Sequence, residues 1–411
     1  MRLTALPLIG LLLAGLPHGS KAQTWDTLCR DDYRIDTAAV GSLNAEIDAL
    51  AFFQNNEFSS KLQKGYTLPG AWLQPKLTIS PLRQLHIEAG AHLMFYNGAN
   101  RYPNYAYHDI VRWKGNQHSH GVHALPYFRA QADFKHLTLV LGNLYGAQNH
   151  RLIFPLFNPE QNLSTDPEMG FQLLLDRPRV HLDTWINWQS YIFEMDSHQE
   201  AFTVGVNSTL LWNRDKTKSL QWETPIQVIL QHRGGEQDTT SMGVQTVCNA
   251  SVGLRMTYRP APSSLEANAS SCKHSTLTAL RAEVNALGSY QQHGTLWPFD
   301  TGFAIHGAVS ATLWQRLGLE MGYVGIPRQY ANLYGSPFFG TLSTRYSGLT
   351  FNGMHTLYAT ASYTYVFSPA YRLGAQLDLY SPHSSNVNAT CFGFGVYLRV
   401  NPSFVLKKSK R

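Results

Sequence analysis

The chain has 411 residues, of which 44% are hydrophobic and 15% charged, and its 33 basic and 27 acidic side chains leave a formal net charge of +6. Four scattered cysteines exclude a disulfide-stapled scaffold, and the lack of any uncharged apolar run of roughly 18 residues excludes a membrane-spanning helix. Arg2, Lys21 and the terminal Lys407-Lys408-Ser409-Lys410-Arg411 account for the positive surplus, so the chain has no basic surface suited to nucleic acid.

The first element is an export signal. Arg2 is a minimal basic start, Leu6 to Leu16 an apolar core too short to span a bilayer, and Ser20-Lys21-Ala22 a small-residue cleavage site. Residues 1–22 are expected to be removed. No cysteine follows the cleavage site directly, so no lipid anchor is expected. Residues 23–39 read as a periplasmic N-terminal segment.

From there the apolar residues fall on every second position. Leu43, Ala45, Ile47, Ala49, Ala51 and Phe53 alternate with Asn44, Glu46, Asp48 and Gln54. Ala71 to Ile79 and Leu85 to Phe95 repeat the pattern, and so do the segments beginning at Val122, Leu137, Met169, Leu182, Phe202, Ile226, Ala250, Ala282, Phe303, Leu317, Leu357, Tyr371 and Phe392. Period two means strands with one oily and one wet face. The count is about sixteen, an even number. Connectors alternate in length: short at Ser80-Pro81, Lys135-His136, Arg177-Pro178, Gln315-Arg316 and Ser368-Pro369, long at Asn97 to Gly121, Gly146 to Glu168, Gln291 to Asp300 and Ile326 to Gly353. Arg259 to Ser275 breaks the alternation and reads as an enlarged periplasmic loop. Outward aromatics collect at strand ends: Phe53, Phe95, Phe171, Trp188, Phe202, Phe303 and Tyr323 toward one rim, Phe134, Trp212, Trp222, Phe367 and Tyr371 toward the other. Those are the two interfacial girdles of a transmembrane barrel.

With these features the chain resembles the porin superfamily of Gram-negative outer-membrane barrels, over essentially everything after Gln23. The resemblance implies an all-β, antiparallel transmembrane barrel over residues 40–404, with short periplasmic turns, long outer loops and a basic tail at 405–411. Phe404 has the outward parity of a terminal aromatic, but Val405 and Leu406 follow it. The resemblance further implies a passive channel for small hydrophilic solutes, embedded in outer-membrane lipid, monomeric or homotrimeric, without a cofactor and not an enzyme. The alternatives are a barrel that binds partners through its long loops and a barrel hydrolase.

Sixteen strands enclose a lumen wide enough for small solutes. Inward positions include Glu46, Asp48, Lys76, Glu88, Arg129, Arg281, Arg372, Asp378 and Arg399. They read either as charge pairs on a solvated wall or as an eyelet with a transverse field. In the resembled porins the loop after the fifth strand folds inward. Here that loop is Gly146 to Glu168. Its apolar patch, Leu152, Ile153, Phe154, Leu156 and Phe157, calls for burial, and its acids Glu160, Asp166 and Glu168 are expected to face Arg129 and Arg399 across the pore. Inward Trp72, Tyr127, Trp185, Tyr358 and Tyr397 either fill space or stack on sugars. His108, His118, His120 and His123 cluster around the second long loop, a weak metal-ligand pattern. For hydrolysis, His306 and Ser310 share a face but stand roughly 13 Å apart. No nucleophile elbow, P-loop or dinucleotide fingerprint occurs.

Overall fold

The structure, a computed structural model, describes residues 24–36, 40–96, 122–213, 219–260 and 276–408. Alternation becomes a closed antiparallel barrel. Its wall is β1 (Leu43–Ser59), β2 (Lys64–Leu82), β3 (Leu85–Tyr96), β4 (His123–Phe134), β5 (Leu137–Asn143), β6 (Met169–Asp176), β7 (Val180–Ser190), β8 (Ala201–Leu211), β9 (Leu220–Arg233), β10 (Gln245–Tyr258), β11 (Leu277–His293), β12 (Thr301–Leu313), β13 (Leu317–Ile326), β14 (Met354–Ser368), β15 (Tyr371–Ser384) and β17 (Cys391–Val400). The short β16 (Val387–Asn388) extends the β15 hairpin. Closure runs from Ala49↔Val400 to Glu57↔Phe392 between β1 and β17. After Pro402, β18 (Ser403–Lys407) continues that edge beside Leu43–Glu46. Pairing therefore passes the expected boundary at residue 404 and takes in Val405 and Lys407.

Side-chain parity separates two environments. Ile305, Val309, Met321, Leu357 and Phe394 lie exposed on the outside, whereas their neighbours Ala304, Ala308 and Tyr358 are buried inside. Both aromatic girdles are exposed on the outer wall, with Phe53, Phe95 and Trp188 at one rim and Phe134, Phe367 and Tyr371 at the other. An apolar exterior is stable only in lipid. The protein is an outer-membrane barrel.

This parity can be tested at two adjacent residues. Ala359 faces outward, while the Thr360 hydroxyl donates to Asp378 inside at 2.8 Å. Arginine on the lipid face near the bilayer midplane costs about 2–4 kcal/mol. Ala359→Arg should therefore lower refolding yield and the urea midpoint, and Thr360→Arg, beside an acid, should change neither. Equal losses would mean the register is off by one.

The outer half of the lumen is packed solid. The loop Gly146–Glu168 folds inward, with Ile153, Leu156 and Phe157 buried and Leu152 and Phe154 packed against them. It does not act alone. The loop from Pro327 to Gly353 also turns in, and Tyr330, Phe338 and Phe339 have no exposed surface. Together they form one apolar cluster with Ile229, Val247, Leu287, Val324, Met354 and Tyr380 of the wall. Polar anchors tie this plug to the wall around its circumference. The Trp72 indole donates to the Asn162 carbonyl at 3.0 Å and the Tyr96 hydroxyl to the Leu163 carbonyl at 2.6 Å. Asn207 and Asn249 donate to the carbonyls of His150 and Ala331, each at 2.7 Å, and the Thr356 hydroxyl to Phe338 at 2.6 Å. Buried backbone groups of a loop need such partners, because water does not reach them.

The N-terminal segment also enters the barrel. Helix α1 (Thr24–Cys29) lies against β14 and β15, where Gly374 leaves room: a Cβ there would stand 2.7 Å from Leu28. Beyond it, Tyr33 bonds Asp176 beside a short turn. Residues 24–36 thus run within the turn end of the lumen, not outside it. Cys29, Cys248 and Cys391 are free thiols; Cys272, like the expected signal segment at 1–22, lies outside the described residues.

Candidate functional site

The charges expected to form an eyelet are brought together differently. Arg129 donates to Glu88 at 3.1 Å, and Lys76 stands 2.9 Å from the same carboxylate. Arg399 donates to Asp48 at 2.6 Å. Arg372 is spent on the carbonyls of Thr27 and Pro369, and Asp378 accepts from Thr360 and Gln376. The loop acids face other partners: Glu160 accepts from Asn56 and Tyr66, Asp166 meets His123 at 3.0 Å, and Glu168 meets His150 at 3.1 Å. No arginine–acid field spans the pore between them, because each charge found a nearer neighbour on its own side. Arg281, another of the expected set, lines a cavity below the plug. His118 and His120 lie outside the described residues. His123 is buried against Asp166, and among the described residues no group of three metal-type ligands occurs.

His150 shows how the plug is fastened. Its ring stacks on Trp185 with centroids 3.4 Å apart, its Nδ1 lies 2.8 Å from Asp183 and its Nε2 3.1 Å from Glu168. Trp185 in turn lies flat over Gly205, where any Cβ would sit 2.0 Å from the indole. Burial alone would lower the imidazole pKa, but the Glu168 and Asp183 carboxylates outweigh it and push it up to about 9. The bound proton therefore stabilises loop docking fully below about pH 6.5, and the contribution is lost as pH rises through about 9. Hydrogen exchange of residues 147–168, normalised to intrinsic rates, should accelerate between pH 7 and 10. In His150→Gln that pH dependence should vanish; its persistence would assign it elsewhere. Among the described residues the hydrogen-bond partners of this ring are the two carboxylates.

Two serines do touch imidazoles, and the sequence reading, which weighed only His306 with Ser310, missed both. His306 instead meets the Tyr358 hydroxyl at 2.9 Å. Inside the lumen, near the β2–β3 turn, Ser80 Oγ lies 2.8 Å from His86 Nδ1, and His86 Nε2 lies 3.5 Å from Glu88. Ser80 is buried there. The second pair is on the outside. Ser381 Oγ lies 2.8 Å from His383 Nε2. Both continue the lipid-facing row of Leu377 and Leu379 on β15, one step above the apolar belt at the long-loop rim. His355, the cross-strand partner of His383, bonds the Tyr323 hydroxyl on β13. Past β17 the same rim carries a second outward polar group. The Asn55 amide donates to Glu57 at 2.9 Å and the Thr67 hydroxyl to Asn55 at 2.7 Å. Ser381-Pro382-His383 could have been found from sequence: strand residues two apart share a face.

In hydroxyl–imidazole catalysis the ring nitrogen facing the nucleophile takes its proton and later returns it to the leaving group. The outer pair presents that chemistry to lipid at the level of the outer leaflet. The inner pair presents it to the lumen at the short-turn end.

The sequence model of the lipid A 3′-O-deacylase-type family matches residues 35–409. The chain belongs to that family. This overturns the expectation of a non-enzymatic barrel, since the family is one of enzymes. No curated protein matches the chain. Among solved structures it is similar to OccAB4 of Acinetobacter baumannii (9% identity, TM-score 0.49, covering 90% of this chain and 100% of that one). It is also similar to OpdK of Pseudomonas aeruginosa, solved with vanillate (11%, 0.49, 89% and 100%), and to OprD of the same organism (8%, 0.42, 93% and 98%).

Proposed function

We propose that the protein hydrolyses an ester-linked acyl chain of a lipid A-type glycolipid at its lipid-facing outer rim. The family match over residues 35–409 carries this reading. The Ser381–His383 pair supplies a location: His383 Nε2 takes the Ser381 proton as Oγ attacks the ester carbonyl. The sugar hydroxyl leaves with that proton, and water then releases the fatty acid. Tyr323, His355, Asn55, Glu57 and Thr67 offer the sugar headgroup hydrogen-bond partners on either side. A deacylase needs no aqueous path through the barrel, which agrees with a lumen filled by two loops. Passive diffusion of small hydrophilic solutes, the other reading of such a barrel, needs that path. The test is purified protein in detergent with lipid A as substrate and mass spectrometry of the products. Loss of one acyl mass with release of the matching fatty acid supports the reading. Intact lipid A after prolonged incubation, with correctly folded protein, would sink it.

A further inference from the structure

Below the plug, toward the short-turn end, the barrel holds a cavity of about 430 Å³. Its roof is the inward loop at Gln148 and Arg151–Phe154, one side is α1 with Arg30, and the rest is wall from β6 to β15. Five arginines line it, and they are not equivalent. Arg255 is neutralised within the wall, 2.6 Å from Glu283 and 3.0 Å from Glu223. Arg259 donates to Gln221 at 3.1 Å. Among the described residues, the side chains of Arg30, Arg151 and Arg281 make no hydrogen bond or ion pair, and Arg151 Nε is buried without a partner.

The acids in the lining are already engaged. Glu320 accepts the Tyr358 hydroxyl at 3.0 Å and Asp26 the Gln148 amide at 2.7 Å, while Asp176 holds Tyr33 and His181. Burial, and then the positive charge of Arg151, push the Arg30 guanidinium down from its ordinary value, with Arg281 acting in the same sense. Three guanidinium groups without a protein partner around one cavity concentrate positive potential there. Their planar donor geometry fits phosphate oxygens two at a time. Thr209, Thr257 and Ser310 add hydroxyls to the lining. The volume falls within the roughly 300–1,000 Å³ of small-molecule sites.

We propose that this cavity binds a small phosphate-bearing polyanion through Arg30, Arg151 and Arg281, admitted from the periplasmic end because the plug closes the other. The site is separate from the outer rim and stands whether or not the protein is a deacylase.

The experiment is isothermal titration calorimetry of the full-length barrel in non-ionic detergent, with pyrophosphate, inorganic phosphate and acetate as probes. Saturable binding is expected for pyrophosphate, weaker for phosphate and absent for acetate, and it should fade as salt rises. Arg281→Gln and Arg30→Gln should each weaken pyrophosphate by about tenfold or more, with Arg281→Lys, which keeps the charge but loses the fork, in between. Heat-modifiable migration on gels confirms that each variant is folded. No saturable heat from pyrophosphate at millimolar concentration overturns the proposal, and so does binding that is equal in the wild type and both glutamine variants. Inorganic phosphate binding as tightly as pyrophosphate would assign the site to a single phosphate group, still through the same arginines.

Discussion

His383→Ala should lower acyl release from lipid A by about 10²–10⁴-fold, the usual worth of a positioned general base. Ser381→Ala should lose as much, because the two act as one unit and their effects do not add. Ser80→Ala is the matched control: its hydroxyl is equally close to an imidazole, at 2.8 Å, but it is buried on the wrong side of the wall. It should leave the rate unchanged. The comparison separates chemistry from access. Both pairs have hydrogen-bond geometry, and only the outer one meets the bilayer. Loss of activity in Ser80→Ala alone would move the reaction into the lumen. Full activity in all three variants would remove both pairs and leave the Tyr323–His355 and Asn55–Glu57–Thr67 groups as the rim's candidates. Rates are to be read as kcat/KM on protein whose gel migration shows a closed barrel.

Much of the wall was legible because its code is local. A residue such as Ala359 is assigned by its own parity, and the bilayer enforces that parity on every strand in turn. The inward loop was legible for a related reason: five large apolar residues in one connector have to be buried somewhere. The loop at 327–353 carries the same signal in Tyr330, Phe338, Phe339 and Phe351, but it is spread among glycines and serines, and was read only as an outer loop. What the sequence could not supply was pairing across the lumen. Glu160 meets Asn56 and Tyr66, and Asp166 meets His123, because of loop paths that no periodicity records. The end of the chain failed for the opposite reason. Val405 and Leu406 follow Phe404 without the expected alternation, since every residue of β18 is exposed and no buried face enforces a parity. Enzyme membership was illegible because no recognised catalytic motif occurs in the chain, and a serine and a histidine two residues apart on a strand share a face without being marked out among many other alternating polar residues.

The plug makes the second large effect an electrical one. Intact protein in a planar bilayer should show no discrete conductance steps, whereas a chain lacking residues 148–166 and 328–352, each bridged by a short glycine-serine turn, should show them. The argument is one of position and energy. The two loops meet each other in the lumen, where the Tyr334 carbonyl accepts from the backbone of Asn158 at 2.8 Å. The Tyr334 hydroxyl reaches Thr203 at 2.6 Å across on β8. Burial of Leu156, Phe157, Tyr330, Phe338 and Phe339 stabilises docking by roughly 1.5–3 kcal/mol per side chain, enough together to offset the ordering of both loops. Neither loop covers the space the other fills, so removing one alone should give smaller or flickering steps, and removing both a steady open state. The barrel itself should survive, because its wall hydrogen bonds run strand to strand and do not pass through the plug. Steps from the intact chain as large as those of the double deletion would show that a solute path is already open, and would return passive diffusion to the front. Silence in both, with deacylation intact in both, would show that the lower segment from Thr24 to Asp36 closes the barrel without help from above.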